Sequence, residues 1–109
     1  MRRAAVLVLL VAAACSPRGA GERAALSRAR IQAENSVLLQ SRVPKSVVFR
    51  NEHAVMTKRG AIVCGEFSGR DAHGVMADYA RFIFDGKDAR IDDGRPDFKS
   101  DWQDLCAPR

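Results

Sequence analysis

The chain has little of what usually marks catalysis, metal binding or nucleic-acid recognition. One Trp, one Tyr and five Phe in 109 residues are too few to infer a carbohydrate platform or a stacking surface for bases. Neither His53 nor His73 stands at ligand spacing from a cysteine, and no Cys-x-x-Cys pair occurs, so no metal or redox motif is recognisable. Gly60, Gly65, Gly69 and Gly74 do not assemble a phosphate-cradling pattern, and no cofactor is expected. Internal repeats and low-complexity stretches are lacking, which excludes solenoids and arrays. The apolar run from Ala4 to Ala14 is too short for a membrane-spanning helix.

That run is instead the length of a signal-peptide core. Arg2 and Arg3 precede it, and Ala12-Ala13-Ala14-Cys15 closes it. Small residues before the cut, with a cysteine directly after, resemble a bacterial lipobox, whose cysteine receives diacylglycerol before cleavage. The expected organisation is a signal peptide over 1–14, a lipid-anchor cysteine and flexible tether over 15–22, and one domain over 23–109. The expected location is the cell envelope, tethered to a membrane through Cys15. The alternative is cleavage at Ala-x-Ala, releasing a soluble periplasmic or secreted chain.

Loss of Arg2 and Arg3 leaves 16 basic against 13 acidic residues, a formal +3 in place of +5. The charge is uneven. Residues 15–59 carry nine basic and three acidic side chains, and residues 60–109 carry seven and ten. The basic half adjoins the anchor, where Arg18, Arg23, Arg28 and Arg30 could meet anionic headgroups or simply form a solvated helix face. A membrane, and another envelope protein, are the expected partners; nucleic acid is not.

Beyond Cys15, the remaining cysteines are Cys64 and Cys106. In an oxidising compartment such a pair forms a disulfide. It closes a loop of about 43 residues and is worth roughly 4 kcal/mol in the chain-entropy model, a large contribution to a small domain.

The pattern along the mature chain predicts an α+β fold. Arg23 to Arg42 lacks Pro and Gly and favours helix. Leu26, Ala29, Ala33 and Val37 share one face, with Ile31 and Leu38 on a second. Pro44 ends the helix. Val47–Phe49, His53–Thr57 and Ala61–Phe67 read as strands, with a turn at Lys58-Arg59-Gly60. Ser68 to Gly74 reads as loop. Tyr79, Phe82 and Phe84 belong to the next strand, Asp85-Gly86 to a hairpin turn, and Ala89–Asp92 to a returning strand. Asp97 is expected to cap a short final helix bearing Phe98, Trp102 and Leu105, with Cys106 at its end. The expectation is an N-terminal helix packed on three or four antiparallel strands, with the last helix tied down by Cys64–Cys106.

Three constellations could carry chemistry. Asp71 and His73 would share a face in a strand, so the carboxylate could orient the imidazole in a small hydrolase or ligand-binding site. In a loop they serve solubility. Glu52 and His53 are adjacent and point to opposite faces of a strand. The aspartates from Asp85 to Asp104 lack the spacing of a calcium loop and suit turns and caps.

The segments "VPKSVVFRN", "VCGEFSGRDAHGVMADYARFIF" and "WQDLC" resemble those of a group of small uncharacterised proteobacterial exported proteins. In that group a helix is followed by a "DPxSAxFRN"-like segment, a "CGxVNxxNxxGGYxxxxRF"-like strand pair, and a closing Trp and Cys. The likeness spans about residues 38–106. Matching positions are Pro44, Ser46, Phe49, Arg50, Asn51, Cys64, Gly65, Gly74, Tyr79, Arg81, Phe82, Trp102 and Cys106. The resemblance implies export and the disulfide, and carries no activity. The expectation is therefore a non-catalytic envelope module, with a binding surface around Phe49, Arg50, Asn51, His73 and Arg81.

Overall fold

A computed structural model describes residues 17–107; the expected signal peptide and Cys15 lie outside the described residues. Helix α1 spans Pro17–Leu39. After a short 3-10 turn at Pro44–Ser46, four strands follow: β1 (Val48–Thr57), β2 (Gly60–Ser68), β3 (Ala80–Phe84) and β4 (Ala89–Ile91). They form one antiparallel sheet in the order β1-β2-β3-β4. Helix α2 (Pro96–Leu105) closes the chain.

The two helices take opposite faces of the sheet. Strand side chains alternate between faces, so Val63, Phe82, Phe84 and Ala89 meet Ala29, Ala33 and Val37 of α1. The facing set, Ile62, Cys64 and Ile83, meets Phe98 and Cys106, with Trp102 packed against it. Small residues on α1 let the helix lie close to the large Phe82 and Phe84 rings. On the other face, Cys64 of β2 bonds Cys106 across a Cα–Cα distance of 5.8 Å, pinning the end of α2 to the sheet. The expected fold class and disulfide are thus those observed.

Several local readings are corrected. Residues 17–22, expected as a flexible tether, are helical; proline is tolerated at the start of a helix, where its missing N–H has no partner to lose. The first buried position is Ala29, and residues 19–24 are exposed throughout, so the leading turns make no core contact. Asp97 is not the cap of α2. Arg95 holds that position without a side-chain bond, Pro96 begins the helix, and Asp97 lies in its first turn. Leu105 is 39% exposed and lies outside the core. Val47–Phe49 and His53–Thr57 were expected as separate strands but run into one, because a register shift between Arg50 and His53 absorbs an extra residue.

Candidate functional site

The extra residue is Asn51, whose φ of 54° lies in the left-handed region that asparagine tolerates better than most side chains. Its consequence is geometric. Without a bulge, Phe49 and Glu52, three residues apart, would face opposite ways. With Asn51 inserted, Phe49 packs on the α1 side, its ring edge-on to Phe82 at 6.0 Å, and the Glu52 stem lies on that side too, over Gly65. Arg50 turns to the α2 side.

There Arg50 starts a row of alternating charge across three strands. Glu66 of β2 is opposite Arg50 and Arg81 of β3 is opposite Glu66, the arrangement that favours cross-strand pairs. Arg50 Nε donates to Glu66 Oε1 at 3.2 Å and Asn51 Nδ2 donates to the same oxygen at 2.6 Å. Asn51 first, and then Arg50, hold the Glu66 carboxyl below its usual range. The Arg50 guanidinium also lies 3.6 Å from the centroid of Tyr79, a cation–π contact. Arg81 donates twice to Asp92 Oδ2, at 3.0 and 3.2 Å, and sits 4.9 Å from the Trp102 ring. The backbone N–H of Gly94 and then Arg81 lower the Asp92 carboxyl.

Residues 69–79 fold over the end of this row as a braced loop. Arg70 and Met76 form an isolated antiparallel bridge. Asp71 N–H donates to Val75 O at 2.9 Å, and Ala77 N–H to Gly69 O at 3.0 Å. Asp71 Oδ1 accepts from the backbone N–H groups of His73 and Val75 at 2.8 and 3.1 Å. The Arg70 guanidinium holds Gly74 O at 2.7 Å, and the Arg70 N–H reaches Ser46 Oγ at 2.8 Å. Although its backbone is tied, the loop presents Val75, Met76 and Tyr79 at 60, 42 and 39% exposure.

The residues singled out in the sequence therefore separate. Arg50, Asn51 and Arg81 belong to the charged row, and exposed His73 belongs to the loop. Phe49 points to the other face of the sheet, where it is half-buried against the core. Asp71 spends its carboxylate on backbone amides, which makes it the organiser of a turn; no hydrogen bond joins it to the His73 ring. His53 and Val55 border an open cleft of about 660 Å³ beside Leu105 and Cys106. A second open cleft, about 810 Å³, lies across α2 near Arg90 and Asp101. Thr57 lines both clefts, but its hydroxyl donates to Gly60 O at 2.8 Å. The acidic C-terminal third goes mainly into turns and ion pairs: Asp85 caps Lys87 and Asp88, Asp93 caps Arg95, and Asp101 pairs with Arg90. Among the described residues no group of three His, Cys, Asp or Glu could hold a metal ion, and no helix is long and apolar enough to cross a membrane.

One cluster escaped the sequence reading. Glu52 faces α1 beside Glu34 and Arg30; burial, then Glu34, pushes its carboxyl up to about 7 against the pull of Arg30. Its Oε2 is buried without a hydrogen-bond partner among the described residues. The only signal in the sequence is Gly65, whose missing Cβ leaves room for the Glu52 stem.

Fold and surface together define a small disulfide-stapled α+β module with a rigid, partly apolar loop and no assembled catalytic centre among the described residues. Comparison with family models, curated proteins and solved structures finds no match for the chain.

Proposed function

We propose that this protein is a lipid-anchored, non-catalytic module of the bacterial cell envelope, of the exported group it resembles, which binds another envelope protein through the 69–79 loop and the adjoining Arg50–Tyr79 contact. The observation that carries this reading is the loop itself: its backbone is hydrogen-bonded at both ends while Val75, Met76 and Tyr79 face solvent. A pre-ordered loop loses little entropy on docking, and Met, Tyr and Arg are enriched in protein interfaces. The partner surface would be an apolar recess able to take Val75 and Met76.

Membrane attachment rests on the Ala-Ala-Ala-Cys15 pattern. The exposed leading turns of α1, with Arg23, Arg28 and Arg30, would lie nearest the anionic headgroups once Cys15 is acylated. Intact mass of the membrane fraction tests this directly. A chain beginning at diacylglyceryl-Cys15 is expected, and an unmodified chain in the soluble fraction would overturn the anchor. For the binding surface, a photo-crosslinking residue at Met76 should give a discrete adduct in intact envelopes, absent when placed at exposed Lys99. The same adducts from both positions, or persistence of the adduct with Val75→Asp and Arg50→Glu, would remove this surface from consideration.

A further inference from the structure

On the α1 face of the sheet, two carboxyl groups meet between α1 and β1. Glu52 of β1 turns its side chain under α1 with its stem over Gly65, and Glu34 of α1 comes within hydrogen-bonding reach of it. Glu52 Oε2 is buried and has no partner among the described residues, and Glu34 is half-buried. Two ionised carboxylates so placed repel, and neither can donate a hydrogen bond. The pair is satisfied when one carboxyl carries a proton and donates it to the other.

Among the described residues no cation takes the place of that proton. Arg30, one turn before Glu34 on α1, acts on Glu52 only through its charge. The ion pairs of the described residues lie elsewhere, at Arg50, Arg81, Arg90 and Arg95. The sheet adds no charge on this face: β2 meets Glu52 at Gly65, and the Phe82 ring of β3 lies beside it. Glu66, next to Gly65, is turned to the α2 side and held by Arg50 and Asn51. Burial first, and then Glu34, push the Glu52 carboxyl up to about 7, so the proton leaves as the solution passes neutrality.

We infer that Glu34 and Glu52 share one proton and form a latch between α1 and β1, shut while the proton is held and released when it passes to solvent. The latch is independent of the binding loop and of membrane attachment. How α1 is held decides what moves. Its second half is fixed by Val37 in the core and by two caps on the β4 edge: Ala89 N–H donates to Ser36 Oγ at 2.8 Å, and Gln40 Nε2 donates to Ala89 O at 2.8 Å. Its first half brings only the small Ala29 and Ala33 to the core, and residues 19–24 are exposed throughout. Loss of the proton sets two like charges against each other where little water reaches them. The weakly held half yields, and α1 up to Glu34 tilts off β1 about its fixed end.

Carboxyl-carbon NMR and amide hydrogen exchange of the mature chain test this together. The Glu34 and Glu52 carboxyl carbons are expected to respond to a common transition near neutral pH, as a coupled pair does. Amides at residues 29–34 should be less protected than those of Phe82 and Phe84. Their protection should fall about tenfold or more between about pH 5 and about pH 8, the effect of roughly one unit of carboxyl pKa. Glu34→Gln leaves one carboxyl beside a side-chain donor and should lower the Glu52 transition. Glu52→Gln should hold the protection of residues 29–34 level with pH, whereas Glu22→Gln, on the exposed leading turns, should keep the wild-type response. Two carboxyls that titrate separately in the ordinary range would overturn the inference, as would a Glu52 transition unmoved by Glu34→Gln. So would a first half of α1 that shares one protection with β3 at every pH, or a pH response that survives Glu52→Gln.

Discussion

At the scale of single residues, Gly65 and Glu52 depend on one another. An ideal Cβ at position 65 would lie 2.9 Å from Glu52 Cγ and 2.9 Å from the Phe82 ring, closer than packed atoms tolerate, and Phe82 is fully buried. Gly65→Ala should therefore cost about 1–3 kcal/mol as overpacking, read as a lower urea midpoint with an unchanged slope. Glu52 gives the domain a pH dependence of definite sign. Its folded pKa of about 7 stands above the ordinary 4.5, so the protonated form is favoured by folding. The resulting stability is complete below 4.5 and is lost as pH rises through about 7. Glu52→Gln should abolish this fall and leave the variant more stable than wild type at about pH 8, by roughly 1 kcal/mol after solvent screening. Thermal melts of both proteins at about pH 5 and pH 8 would check it; parallel profiles would deny Glu52 the role.

At the scale of elements, α2 is the piece that depends most on a covalent link. It buries Phe98 and packs Trp102 beside the disulfide, the two rings stacking at 6.1 Å, and adds the exposed Arg90–Asp101 pair. A ten-residue helix is too short to persist alone in water. Reduction of Cys64–Cys106, or its replacement by two alanines, should cost about 2–4 kcal/mol. Trp102 emission should shift to the red as α2 leaves the sheet, while α1 stays on the opposite face. An emission spectrum unchanged by reductant would mean that packing alone holds α2. By contrast α1 is anchored without a covalent link, through Ala29, Ala33 and Val37 and through Ser36 and Gln40 on the β4 edge.

At the scale of the whole molecule, those last two contacts tie the first element of the fold to the last strand of the sheet. Ser36 and Gln40 bond the outward backbone of Ala89 from positions 53 and 49 residues away in the chain, so α1 and the β4 edge hold each other. Removing the caps with Ser36→Ala and Gln40→Ala should leave the Ala89 backbone without protein partners and lower the urea midpoint, at about 1 kcal/mol per lost bond. An unchanged midpoint would mean that water replaces both caps without loss.

Much of the fold was legible from residues alone because local chemistry dictates it. The Pro44 break, the Lys58–Gly60 turn, the Asp85–Gly86 hairpin, the apolar run of β2 and the aromatic positions of β3 each follow from backbone preference or from the pattern of side chains. The pairing of Cys64 with Cys106 followed from counting. The bulge was not legible: "FRNEH" carries no sign that Asn51 is the inserted residue, and one inserted residue reverses which face every later side chain takes. Glu52 for that reason joins Phe49 on the α1 face, whereas Phe49 and Arg50, being adjacent, face opposite ways with or without the bulge. Equally hidden were the Glu34–Glu52 approach, between residues distant in sequence, and the use of Ser36 and Gln40 as edge caps. The sequence by itself determined the element types, their order and the staple, since these depend on near neighbours and on cysteine number. Only the tertiary structure decided which carboxylate is buried, which loop is braced and which edge is capped, because those depend on register and on contacts between distant segments.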